Sequence, residues 1–258
     1  MDLRLALQTR IHLFNTHDLE GAVFIEGSPT AGAAGILAAN YLREVFNGVL
    51  VAEVVSPHFP QISIIDEDGI ASRPKLELYL VNANGVKLLV AGRAFPVEGN
   101  EGSYEVASKL YEFLQTHNVS EYIVLASGRL SGDGSVFVST TNLDHSKKIL
   151  DAGAKQSPSL ENLPVDRTTG FLMFFFARDR RKVAMLFSDT ASYMPDHAAA
   201  KKLLEVVSRY LKFTIDFTKL DLEIERQNRM LREIENLGFM EKALTGGERP
   251  QKEPFYIG

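Results

Sequence analysis

The 258-residue chain reads as an α/β protein: a mostly parallel central sheet with helices on both faces, plus a C-terminal helix and a flexible tail. Three observations predict this. Short apolar runs of strand length alternate with helical stretches through the first two-thirds of the sequence, which favours parallel strands joined by helical crossovers. Asn82-Ala83-Asn84-Gly85 between the apolar runs 76–81 and 86–91 adds one antiparallel hairpin, because Asn-Gly supplies the positive φ of a tight turn. From Thr245 to Pro254 the composition turns polar and rich in Gly, Glu and Pro, which cannot build a core. The expected organisation is one α/β domain over 1–237, its last helix available to an oligomer interface, and a flexible tail over 238–258.

Residues 10–14 suggest a first strand, and Val23, Phe24 and Ile25 a second, buried one. Gly27-Ser28-Pro29-Thr30 ends it. Ser28 is placed to cap the next helix, with Pro29 at the first helical position where its missing N–H costs nothing. That helix opens on small residues: Ala31, Gly32, Ala33, Ala34, Gly35, Ala38 and Ala39. Glycine in a helix costs about 1 kcal/mol relative to alanine, so close approach to a sheet or another helix is the expected compensation. Asn47-Gly48 stops the helix, and residues 49–55 and 61–65 read as strands. Ser103 is expected to cap a helix reaching His117, with Val106, Leu110, Phe113 and Leu114 on one face. Residues 122–126 form a buried strand running into the flexible loop 127–134. A strand over 136–140 and a helix over 143–151 follow, then an exposed crossing over 155–169. FLMFFF at 171–176 and KVAMLF at 182–187 read as two strands joined by a charged turn. Pro195 opens a helix through Leu211, and Thr218 starts the last helix, which stops at Gly238.

The net charge of −5 and a pI near 5.7 argue against a generic nucleic-acid or acidic-membrane surface. The chain contains no cysteine, so disulfides, thiolate metal sites, iron–sulfur clusters and cysteine nucleophiles are excluded. MDLRLALQTR lacks an apolar core and a cleavage pattern, and no apolar run nears the roughly 20 residues that span a bilayer. No membrane or nucleic-acid partner is expected, and a cytoplasmic setting is.

The six histidines show no metal-ligand spacing, so neither a metal nor a cofactor is expected. Asp66-Glu67-Asp68-Gly69 lacks the remaining ligands of a calcium loop and reads as a solvated turn. Gly27 and Gly32 have the spacing of a Walker loop, but Ala33 and Ala34 stand where its lysine and hydroxyl belong. Neither G-x-G-x-x-G nor G-x-S-x-G occurs, and no paired carboxylates suggest a general acid and base. Two loops are placed for a small ligand. One holds Gly27, Ser28, Thr30 and Gly32, whose backbone N–H groups could meet an anion at the helix start. The other holds Ser127, Arg129 and Asp133, just past a strand C-terminus. Plain packing and plain connection explain the same glycines.

Phe217, Leu220, Ile224, Leu231 and Ile234 fall at spacings of three and four, with Gln227 in the missing slot. This a/d seam serves equally a helix lying on the sheet or one packed on its mate in an oligomer. The polar tail ends in Phe255-Tyr256-Ile257-Gly258, an apolar tip that either docks into a partner or folds back onto its own domain.

Several blocks, in order, carry a family resemblance. They are Gly27-x-Pro29-x-x-Gly32 with the alanine-rich helix to Tyr41-Leu42; Ser56-Pro57-x-Phe59-Pro60; Asp68-Gly69 with Arg73-Pro74 before Glu77-Leu78-Tyr79; Thr169-Gly170; and Pro195-Asp196-x-Ala198-Ala199 leading to Ile215-Asp216 and Leu220. On these the chain resembles the proteasome assembly chaperone 2 family. The resemblance implies a phosphorylase/hydrolase-like α/β fold, a homo-oligomer, no enzymatic activity, and proteasome α-subunits as partners. It also implies docking by a C-terminal hydrophobic–tyrosine–any-residue tip whose carboxylate pairs with a pocket lysine. Phe255-Tyr256-Ile257 fits that pattern, and Gly258 carries the carboxylate one residue further out. The alternative function is a small-molecule or nucleotide-binding enzyme of the same fold, using the turn from Gly27 to Gly32 and the loop from Ser127 to Gly134.

Overall fold

The computed structural model describes residues 8–14, 16–65, 68–159, 165–191 and 194–244. The chain divides into two compact units, Met1–Asp216 and Phe217–Gly258. The first is built on a nine-stranded sheet in the order β1-β3-β6-β7-β2-β8-β11-β9-β10. Its strands are β1 (Arg10–Leu13), β2 (Val23–Gly27), β3 (Val49–Val55), β6 (Leu76–Ala83), β7 (Val86–Gly92), β8 (Glu121–Gly128), β9 (Val136–Thr140), β10 (Lys155–Gln156) and β11 (Lys182–Asp189). A separate two-stranded ribbon joins β4 (Ile64–Ile65) to β5 (Ala71–Ser72).

The centre of the sheet, β7-β2-β8-β11, is parallel throughout. Every residue of β2 and β8 is buried, as a parallel strand between two helical layers requires. The wings are antiparallel, β1-β3-β6-β7 on one side and β11-β9 on the other, so the sheet as a whole is mixed. The β6–β7 turn has Asn84 and Gly85 at φ +52° and +93°, the doubly left-handed turn that Asn-Gly favours. Helices α1 (Ala34–Val45) and α5 (His197–Leu211) pack together, with α3 (Leu143–Asp151) beside α5. Helices α2 (Asn100–Thr116) and α4 (Arg167–Arg178) pack together with Phe24, Tyr122 and Val124 of the sheet in one core.

The small residues at the start of α1 are there for close packing. A Cβ on Gly35 would lie 2.0 Å from the Leu125 carbonyl oxygen, and one on Gly27 2.5 Å from the Gly35 oxygen. The helix is pressed so tightly onto β2 and β8 that no side chain fits between. The cap is not Ser28, which is fully buried with its N–H bonded to the Leu125 oxygen at 2.9 Å. A 3-10 turn over Ala31–Ala33 intervenes, with Gly32 at φ +73° and Ala33 at +47°, and the regular helix starts at Ala34. The Ala34 N–H is accepted by Ser127 Oγ at 3.1 Å, so the cap comes from the end of β8 rather than from the adjoining sequence.

The run 171–176 is helix, not strand. A continuous apolar run has no period of its own, and the flanks decide it. Asp166 caps α4 by accepting the Thr169 N–H at 2.8 Å. Leu172, Phe175 and Phe176 then turn inward while Phe174 stays 57% exposed, the 3.6-residue pattern of one helix face. The stretch 155–169 is therefore only partly an exposed crossing, since Thr168 and Thr169 are buried in the first turn of α4. Ser103 lies inside α2, donating back to the Gly99 oxygen at 2.8 Å, and Gly99 at φ +69° precedes the helix. Of the stretch 61–65, only Ile64–Ile65 pairs as strand. In the second unit, α6 (Thr218–Leu244) continues through Gly238. Along its seam Leu220 is buried and Leu231 is 38% exposed. Residues 245–258, with the tip Phe255-Tyr256-Ile257-Gly258, lie outside the described residues. Among the described residues, no helix is long and apolar enough to cross a membrane.

Candidate functional site

After β2 the chain crosses through α1 to β3, on the β7 side of the sheet, whereas β8, on the other side of β2, leads on to β9 and β11. The loops leaving β2 and β8 therefore diverge. In an open α/β sheet this switch point opens a crevice beyond the strand C-termini. Such a crevice is present, with a volume of about 510 Å³. Pro29, Thr30 and Ala31 line it from the β2 side and Ser127, Gly128 and Arg129 from β8. Val165 and Asp166 precede α4, and Phe187 and Thr190 come from the end of β11.

Of the residues singled out by sequence, Thr30, Ser127 and Arg129 meet here, with Gly27, Ser28 and Gly32 in the turn behind them. Two hydroxyls lock the loops together. Ser127 N–H donates to Thr30 Oγ1 at 2.8 Å, and Ser127 Oγ donates to the Ala31 oxygen at 2.6 Å. Ser127 Oγ also accepts the Ala34 N–H, so both its roles are occupied by structure. The Gly32 oxygen accepts the Asp196 N–H at 2.8 Å, tying the turn to the start of α5. Asp133 points elsewhere. It pairs with Lys155 at 2.7 Å, and that contact holds its carboxyl well below the usual range. The loop 130–134 is not slack either. The Asp189 carboxylate accepts the Leu130 N–H at 2.7 Å, the Ser131 hydroxyl at 2.8 Å and the amides of Gly132 and Gly134. Burial alone would raise the Asp189 pKa, and these hydrogen bonds outweigh it and lower it.

Beneath the crevice lies a buried ionic cluster that no motif announces. Glu26 is the one charged residue of an apolar strand, and its side chain accepts from Tyr122 Oη and from Thr169 Oγ1, the latter at 3.3 Å. Arg93, just past β7, is wholly buried and faces both Glu26, at 3.5 Å, and Asp166. Its Nη1 donates to the Phe95 oxygen at 2.7 Å. Burial pushes the Glu26 carboxyl up, and the Asp166 charge adds to this against the pull of Arg93. Burial also pushes the Tyr122 phenol well up, consistent with its donating to Glu26. The lone glutamate in VFIEG is the sequence signal that could have exposed this cluster. Arg93 and Asp166 carry no such mark, because their roles come from the packing of α4 over the strand ends.

A larger groove of about 880 Å³ runs along the outer edge of the sheet, by Arg10, His12 and Phe59. It lacks a comparable cluster, and its Lys75 is tied to Glu53 and Glu77 at 3.2 and 2.9 Å. Among the described residues no group of three or more His, Asp or Glu is placed to hold a metal ion.

Fold and crevice together define an open-sheet α/β protein with a switch-point site. The model of the PAC2 family matches residues 24–235, and the chain belongs to that family. Its structure is similar to Pyrococcus furiosus PbaB, described as an archaeal proteasome activator. That likeness has a TM-score of 0.79 at 24% identity, covering 88% of this chain and 99% of that one. It is also similar to P. furiosus PbaA, described as an archaeal homolog of proteasome-assembly chaperone, with a TM-score of 0.73 at 26% identity over 93% of this chain and 95% of that one. An uncharacterized protein of Methanocaldococcus jannaschii is 24% identical over 249 residues, 93% of each chain.

Proposed function

We propose that this chain is a non-enzymatic assembly chaperone or regulator of the proteasome, acting in the cytoplasm on proteasome α-subunits. The observation that carries this is family membership across residues 24–235, joined to the likeness with PbaA over nearly the whole of both chains. The crevice supports binding over catalysis. Ser127, a buried hydroxyl of the crevice, is committed to backbone groups, and none of its hydrogen bonds among the described residues goes to a histidine or a carboxylate. The tip Phe255-Tyr256-Ile257-Gly258 is assigned to partner docking, because a polar linker ending in aromatic and aliphatic residues gains nothing in water. Self-association goes with this function, and the half-exposed Leu222 and Met230 on α6 give a second copy apolar surface to cover.

Native mass spectrometry of the full chain with proteasome α-subunits tests it. The full chain forms a mixed complex, and deleting Phe255 to Gly258 weakens that complex. A complex unchanged by the deletion removes the tip from the proposal. The same spectra give the number of copies in the free assembly, and a free monomer overturns the self-association.

A further inference from the structure

The switch-point crevice carries chemistry that capture of a protein does not use. Its Asp166 carboxylate is already matched by Arg93. Arg129 at the rim is exposed and makes no ion pair or hydrogen bond among the described residues. Thr30 Oγ1 accepts the Ser127 N–H, which leaves its hydroxyl proton for another acceptor, with Ser127 Oγ only at 3.5 Å. The uncommitted polar groups are therefore donors, and the uncommitted charge is positive. The apolar part of the lining is formed by Phe187 and Val165. Gly128 makes room for the Phe187 ring, since a Cβ there would lie 3.1 Å from Phe187 Cζ.

We infer that the crevice binds a small organic anion, its phosphate or carboxylate head on Arg129 and Thr30 and its planar body against Phe187 and Val165. A guanidinium meets either head in a two-pronged, charge-assisted contact. The volume of about 510 Å³ lies within the roughly 300–1,000 Å³ of small-molecule sites. The crevice stands at the point of the sheet where such sites form. The α-subunit function does not depend on this site, so either can fail alone.

Calorimetric titration of the full chain tests the inference with four probes: phenyl phosphate, benzoate, inorganic phosphate and benzyl alcohol. At least one of the two ring-bearing anions saturates one site at millimolar or lower concentration, and the tighter of them names the head group. Inorganic phosphate binds more weakly, and benzyl alcohol does not bind. Arg129→Ala, an exposed change that leaves the melting temperature in place, weakens the ring-bearing anion by about 10- to 100-fold. Arg129→Lys recovers part of that loss. Gly128→Ala displaces the Phe187 ring, and weakens phenyl phosphate more than inorganic phosphate. The inference is overturned by no saturable binding of either ring-bearing anion, by binding as tight in Arg129→Ala, or by benzyl alcohol binding as tightly as the anions.

Discussion

Two glutamates are buried in the parallel centre of the sheet, at opposite ends of it, and their surroundings differ. Glu121 opens β8 and its carboxylate meets an imidazole and a phenol, His145 Nε2 at 2.7 Å and Tyr210 Oη at 3.0 Å from both oxygens. Tyr210 is raised by burial first and then by the charge of Glu121. This end is closed over by α3 and α5, which supply His145 and Tyr210. Glu26, near the end of β2, faces a permanently charged arginine that is itself buried and shared with a second carboxylate. Desolvating such a set costs several kcal/mol per ion, and packed apolar side chains would fill the same space more cheaply. The two ends are thus built to different ends. The Glu121 group closes a structural seam, and the Glu26 group sits under the crevice where perturbed ionisable groups mark functional sites.

The comparison can be broken most sharply at Arg93. Arg93→Met strands two carboxylates in the interior and should cost about 3–5 kcal/mol, seen as a large fall in the urea midpoint. Phe176→Ala comes next, because Phe176 packs 5.2 Å from the Tyr122 ring that holds Glu26. About 3–5 kcal/mol is expected, against less than about 0.5 kcal/mol for the exposed Phe174→Ala. Equal effects at the two positions would contradict the helical α4. At the other end, His145→Leu leaves Tyr210 on Glu121 and should cost about 1–3 kcal/mol.

The smallest effect lies in pH. The Glu26 pKa is raised above its unfolded value of 4.5, so its protonated form is favoured by folding. That contribution is full below pH 4.5 and is lost as the pH rises through the raised value. Glu26→Gln, which mimics the protonated form, should match the native chain at pH 4, gain on it as the pH rises above 4.5 and hold a constant advantage once the pH has passed the raised value, in melts across pH. No change in the difference between the two would remove the buried charge from the account.

The close packing of α1 was legible because the small residues that allow it fall in one short run. A run of glycine and alanine after a buried strand has few explanations other than contact, and Gly35 against Leu125 is that contact. The hairpin at Asn84-Gly85 was legible for the same reason, since the turn requires those residues. The helix over FLMFFF was not, because six consecutive apolar residues satisfy any face. Its evidence lay upstream, in Asp166 with Thr169 three residues on, inside a stretch that reads as crossing loop. The cap of α1 was hidden more deeply, because Ser127 reaches Ala34 from 93 positions away. Half the candidate site shared this fate. Thr30, Ser127 and Arg129 could be placed at strand ends from the pattern alone. The convergence of Glu26, Arg93 and Asp166 depends on strand order and on where α4 settles, which no single stretch encodes.

The central claim is that this chain holds proteasome α-subunits. Isothermal titration of purified α-subunits into the full chain tests it most directly. The account predicts saturable binding with a defined stoichiometry that weakens when Phe255 to Gly258 are removed. Absence of any binding, by a chain that melts cooperatively and is therefore folded, would contradict it.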